Sequence, residues 1–107
     1  MENNRHIVIL ITTGTDGEAR RVAEALLEHR KAACVNIVPK VTSLFWWEGK
    51  MDSDQESLLI VKSKASLFDE IVSLVKEVHG YDVPEVIALP IVGGNPDYLD
   101  WIGEETQ

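Results

Sequence analysis

The stretch that decides the fold runs from Ala32 to Ser63, reading AACVNIVPKVTSLFWWEGK over 32–50 and MDSDQESLLIVKS over 51–63. Along the first arm the odd positions are Ala33, Val35, Ile37, Val41, Ser43, Phe45 and Trp47. The even positions are Cys34, Asn36, Val38, Lys40, Thr42, Leu44 and Trp46. One set is almost wholly apolar and the other is mixed, the two-residue period of a strand. Glu48-Gly49-Lys50 supplies a turn signal, and Glu56 to Ser63 returns as a second strand.

The length of the first arm sets a geometric problem. Its residues from Ala33 to Trp47, at a rise of about 3.3 Å each, would reach about 50 Å. A domain of this size has a radius of gyration of about 13 Å. Either the arm bends, with Pro39 the obvious place, or its far end leaves the domain and packs on another chain. Leu44, Phe45, Trp46 and Trp47 at the tip form an interface candidate. The alternative is that they fold back on the chain's own helices.

On the N-terminal side, His6 to Thr13 (HIVILITT) reads as a strand covered on both faces. Thr15-Asp16-Gly17-Glu18 matches a capping box, with Glu18 reaching back to Thr15. Ala19, Val22, Ala23, Leu26 and Leu27 then form the apolar stripe of an amphipathic helix. On the C-terminal side, Ser66 starts a second helix with Asp69 and Glu70 in its first turn. Gly80 ends it as a left-handed cap. Glu85 to Val92 is a last strand, placed at a sheet edge because Pro90 lacks a donor. Asn95-Pro96 opens a short tail helix.

The resulting order predicts an α+β domain, a ferredoxin-like βαββαβ sandwich with a long hairpin between its second and third strands and a short C-terminal helix. Residues 1–107 make one domain. Both long helices fall on one face of the sheet. Apolar pairs such as Val8 with Ile9, Leu58 with Leu59 and Ile87 with Ala88 mean that the other face needs a cover too. The tail helix is too small to supply it all, so self-association is expected.

The net charge of −8 argues against nucleic acid or an anionic membrane surface as a partner. Cys34 is the one cysteine, which fits a reducing compartment. The apolar run Ile7 to Ile11 is too short for a signal or spanning segment, so a cytoplasmic location is expected.

Candidate chemistry is sparse. As a thiolate, Cys34 is a soft ligand for copper or zinc, and as a thiol it is a small hydrophobe. His79 offers an imidazole ligand, or a cation at a helix C-terminus. Glu56, Lys62 and Glu85 read as charged strand positions, by default on the surface. No G-x-S-x-G elbow, phosphate loop or paired histidine motif is present, so no enzymatic activity is expected. An acylphosphatase-like hydrolase of similar size would need an arginine in an anion loop after the first strand, but here Arg20 lies in the helix.

The segments AACVNIVPKVTSLFWWEGK, ESLLIVKSK, HGYDVPEVIALPI and DYLDW, in that order, resemble the CutA family of divalent-cation tolerance proteins from about Ile7 to Trp101. The resemblance implies a tight homotrimer built through long hairpins. It also implies a link to copper or another divalent cation, with His79 in the signature segment at the intersubunit cleft; Cys34 joins His79 as a candidate metal ligand on its thiolate chemistry alone. Asn36, Trp47, Glu56, Lys62, Tyr81 and Glu85 are implied to line a cleft between subunits. It further implies a likeness in architecture to PII signalling proteins, hence the alternative of a trimer that binds a small molecule or a partner protein. Two departures stand out. The proline usual after the histidine is Gly80 here, and the usual copper-ligand positions correspond to Ile11 and Val78.

Overall fold

The structure is a computed structural model that describes residues 5–107. Strand β1 (His6–Thr13) leads into helix α1 (Asp16–Glu28). Strands β2 (Cys34–Trp47) and β3 (Lys50–Lys64) form the hairpin. A single 3-10 turn, Ala65–Leu67, passes into α2 (Phe68–Val78), and β4 (Val86–Pro90) and α3 (Pro96–Glu105) complete the chain. The sheet order is β2-β3-β1-β4 with every neighbouring pair antiparallel. This is the expected ferredoxin-like arrangement. Both prolines of the sheet, Pro39 and Pro90, sit on its two edge strands, where a missing N–H breaks no internal ladder.

One face of the sheet meets α1 and α2. Ile7, Ile9 and Ile11 alternate inward from β1, and Leu59 and Val61 from β3. They pack against Ala19, Val22, Ala23 and Leu26 of α1 and Ile71 and Val75 of α2. Leu27, read as part of the stripe, instead stands 41% exposed at its margin. Among the described residues, no helix is long and apolar enough to cross a membrane.

The hairpin both bends and overruns. Between Val38 and Val41 the register slips by one residue, and Lys40 takes a left-handed φ of 60°. This bulge follows Pro39, which cannot donate to the ladder. It also inverts the side-chain alternation. Val35 and Ile37 face the helices, but beyond the bulge Val41, Ser43, Phe45 and Trp47 lie on the opposite side, in line with Glu56 and Leu58. The strict two-residue reading of the whole arm therefore holds only up to Val38.

Past the bulge the arm still leaves the domain. The molecule measures 44 × 26 × 22 Å. The tip side chains do not fold back on the helices, for Trp46 is 76% and Trp47 62% exposed. Glu48 and Gly49 both take positive φ, 50° and 79°, and close the hairpin as a two-residue turn. The returning strand starts at Lys50 rather than Glu56. The polar run from Lys50 to Gln55 has little strand propensity of its own, and β2 templates it residue by residue, Trp46 against Met51 and Phe45 against Asp52.

Three local expectations are corrected. Ser66 caps nothing and lies inside the 3-10 turn, so α2 begins at Phe68 without a side-chain cap. Gly80 does not adopt a left-handed conformation, and α2 ends because His79 turns extended, at φ −87° and ψ 145°. Strand β4 is shorter than expected, which leaves Glu85 just before it rather than within it.

The second face of the sheet stays open. It carries Val8 and Leu10, Leu58 and Ile60, and Ile87 and Leu89, the last two each 50% exposed. Helix α3, capped by Asn95 with Pro96 in its first turn, packs on β1 and β3. It reaches only the end near Lys64, whose ammonium donates to the carbonyls of Gly103 and Thr106.

Candidate functional site

Five elements converge at one end of the sheet: the end of β1, the start of α1, the bulged part of the hairpin, the end of α2 and the segment before β4. Tyr81 donates its phenol hydrogen to Glu56 Oε2 at 2.8 Å. The Thr12 hydroxyl donates to Glu85 Oε1 at 3.5 Å. Ser57 donates to Asp16 Oδ1. Partial burial, the hydrogen bond to Glu56 and the negative charges of Glu56, Asp54 and Glu18 push the Tyr81 hydroxyl up from 10.0 to about 12. The cleft is acidic in character, and Tyr81 faces its carboxylates as a neutral donor.

His79 is buried behind this wall. Its Nδ1 accepts the backbone N–H of Tyr81 at 3.0 Å, so Nε2 carries the ring proton and donates to the Thr12 carbonyl at 2.7 Å. The Tyr81 ring lies against the imidazole, 4.8 Å between centroids. Both ring nitrogens are thereby committed to backbone partners, and His79 could ligate a metal only by giving one of them up.

A second group lies on the open face. Cys34 pairs across the ladder with Lys62, whose ammonium donates to the Asn36 side-chain oxygen. Tyr98 of α3 reaches Cys34, and its hydroxyl is raised above the ordinary value by burial and by that thiol. Cys34 and His79 are not brought together. Cys34 lies level with Val8 through Lys62, whereas His79 binds Thr12, four residues further along β1 and so about 13 Å away. Trp47 is separate again, opposite Lys50 at the tip.

The structure therefore groups Glu56, Tyr81, Glu85 and His79, groups Cys34, Asn36 and Lys62 elsewhere, and leaves Trp47 at the far end of the hairpin. Among the described residues, no three or more histidine, cysteine or acidic side chains are arranged to hold a metal ion. The donor set of one chain does not make a complete metal site. Sequence pattern does not mark Thr12 or Glu18 as part of the site. Glu18 carried a capping-box signal, and the structure honours half of it: Thr15 accepts from the Glu18 N–H, but the Glu18 carboxylate takes the N–H groups of Gly14 and Gly80 instead of reaching back to Thr15.

Comparison with known proteins places this geometry in company. The profile described as CutA1 divalent ion tolerance protein matches residues 7–105. The divalent-cation tolerance protein CutA of Thermus thermophilus is 50% identical over 99 residues, which are 92% of this chain and 96% of that protein. A rice protein named Protein CutA 1, chloroplastic, is 48% identical over 94% of this chain, and the match spans 57% of the rice protein's length. The crystal structure of rice CutA1 superimposes with a TM-score of 0.95 at 47% identity, over 98% of this chain and 96% of that one. The Thermus thermophilus structure gives 0.94 at 49% identity, over 95% and 99%.

Proposed function

The chain belongs to the CutA1 divalent ion tolerance family, and from that premise we propose that it acts as a homotrimer that binds or responds to divalent metal ions, copper first among them, at clefts between its subunits. One observation carries the assembly. The hairpin tip projects apolar side chains from a molecule 44 Å long, while the sheet keeps an apolar face only partly covered by α3. The tip, which turns Phe45 and Trp47 to the open side, lies at the far end of that side from the apolar patch of Val8, Leu10, Ile60, Ile87 and Leu89. A contact that joins one to the other is head-to-tail, which closes into a ring when the rotation between subunits closes and does not give a two-fold dimer.

In this reading the wall of Glu56, Tyr81 and Glu85 comes from one chain, and Trp47 reaches a cleft from a neighbour's hairpin. Asn36, Lys62 and Cys34 line the open face that a neighbour covers. Oxygen donors from Glu56 and Glu85 suit a hard or borderline divalent ion, and Cys34 and His79 are the soft and borderline donors. Because one chain's donors are incomplete, a site needs ligands from more than one subunit. Ligation by His79 would release either Tyr81 or Thr12, which couples binding to the turn that holds Tyr81. No catalytic role is assigned, and the matches above lend no support to the PII-like signalling alternative. The free thiol of Cys34 fits a reducing, cytoplasmic setting.

Titration calorimetry with copper and with zinc tests the metal reading. At about 100 μM protein a micromolar site gives saturable heat. A trace no different from buffer for both ions would remove metal from the proposal and leave the assembly standing.

A further inference from the structure

Glu18 is a buried carboxylate that neither the core nor the proposed metal chemistry uses, being only 8% exposed. A buried charge is costly unless it is hydrogen-bonded. Here the compensation is specific. Glu18 Oε1 accepts the backbone N–H of Gly14 at 3.1 Å, and Oε2 accepts the backbone N–H of Gly80. Charge-assisted bonds of this kind are stronger than neutral ones, and the first turn of α1 adds a favourable dipole. The Gly80 bond joins residues 62 apart in sequence, tying the start of α1 to the turn after α2. It also accounts for glycine at position 80 on grounds other than a left-handed cap. A Cβ built on Gly80 would collide with Glu18 Oε2, and a proline there would lack the N–H that Glu18 accepts.

The turn held in this way carries both cleft contacts. Tyr81 follows Gly80 directly, and its hydroxyl oxygen lies 3.3 Å from the Cβ position of Gly14, the other residue that Glu18 binds. We infer that Glu18 is the positioning residue of the cleft: by bridging the N–H groups of Gly14 and Gly80, its carboxylate fixes the segment from His79 to Glu85 so that Tyr81 meets Glu56 and Glu85 meets Thr12. That the cleft is a functional one rests on the reading proposed above, whereas the bridge itself does not.

The test reads geometry directly, by NMR on the full chain. In the wild type, the Tyr81 ring protons are expected to give a nuclear Overhauser contact to the Gly14 Hα, since the ring lies within 4 Å of the Gly14 Cβ position. Gly80 is exposed and lies outside any helix or strand, yet bridging predicts that its amide exchanges about 100-fold more slowly than a free peptide. Glu18→Gln keeps the size of the side chain but offers a single acceptor oxygen. Gly80→Pro leaves the Glu18 charge in place and removes the donor, while its Cβ also crowds Glu18 Oε2. Both variants are expected to lose the Tyr81–Gly14 contact while β1, α1 and α2 keep their wild-type amide protection. Retention of that contact in both, or unprotected exchange at Gly80 in the wild type, overturns the inference. Loss of it in Glu18→Gln alone also overturns it, since Glu18 would then act through its charge. The wild-type exchange rate decides even if a variant does not fold. Copper and zinc titrations of the wild type separate the two claims: if neither ion binds, the metal reading of the cleft fails while the Tyr81–Gly14 contact still tests the bridge.

Discussion

Replacing Glu56 with Gln should change how Tyr81 titrates and how the protein withstands alkali. In the native chain the Tyr81 hydroxyl is pushed from 10.0 to about 12, first by burial and then by its hydrogen bond to Glu56 and the Glu56 charge. Glu56→Gln preserves an acceptor oxygen and deletes the charge, so the hydroxyl should titrate between those two values, held up by burial and by the remaining charges of Asp54 and Glu18. The sign of the stability effect follows from linkage. A group whose folded value is raised contributes stability that is fully present below the unfolded value near pH 10 and is lost as pH climbs through 12. A displacement of this size corresponds to about 2.7 kcal/mol for a fully shielded group. Tyr81 is 37% exposed, and solvent screening reduces the Glu56 contribution to about 1 kcal/mol. The assay is ultraviolet tyrosinate absorbance against pH in a Tyr98→Phe background, because Tyr98 is also raised. Urea unfolding at pH 8 and pH 11 accompanies it. The wild type should lose stability between those pH values, and Glu56→Gln should lose less. A Tyr81 that ionises near 10 in the wild type, or one that Glu56→Gln leaves unmoved, would refute the hydrogen-bonded geometry.

Two further outcomes follow from the hairpin. Trp47→Ala should leave the monomer fold intact, since Trp47 is 62% exposed in the isolated chain. It should weaken assembly by about 3–5 kcal/mol if the side chain is buried by a neighbour; dilution followed by sedimentation gives the answer, and an unchanged trimer at nanomolar concentration would misplace Trp47. Gly49→Ala forces an L-residue into φ 79° and should cost about 1–2 kcal/mol, read from thermal unfolding, with no loss expected if another turn type can substitute.

Much of this architecture could be read from local pattern. The alternation of Ile7, Ile9 and Ile11 marks a strand with a buried face, Thr15 before the Ala19–Leu26 stripe marks α1, and Asn95-Pro96 marks α3. The overrun of the hairpin followed from counting residues against the size of a domain. What local pattern could not carry was pairing. Pro39 flags a break in the ladder, but the inversion that turns Phe45 and Trp47 toward the open face depends on which β3 residue stands opposite. The strand character of Lys50–Gln55 is likewise borrowed from its partner. At the site, His79 stands out by type and Tyr81 only through the family resemblance. Their mutual hydrogen bond, and the separation of His79 from Cys34, depend on tertiary placement. Glu18 was hidden because a local motif explained it adequately, while its second oxygen serves a residue far along the chain.

Assembly through the hairpin and the open face is the central claim, and mass by light scattering during size exclusion, with and without one equivalent of copper, tests it most directly. A species of about 36 kDa in both runs, three chains of 12.0 kDa, is the predicted result, with metal as a ligand of a preformed ring. A 12.0 kDa monomer in both runs would contradict it, leaving the hairpin tip and the apolar face without the neighbour on which the proposed clefts depend.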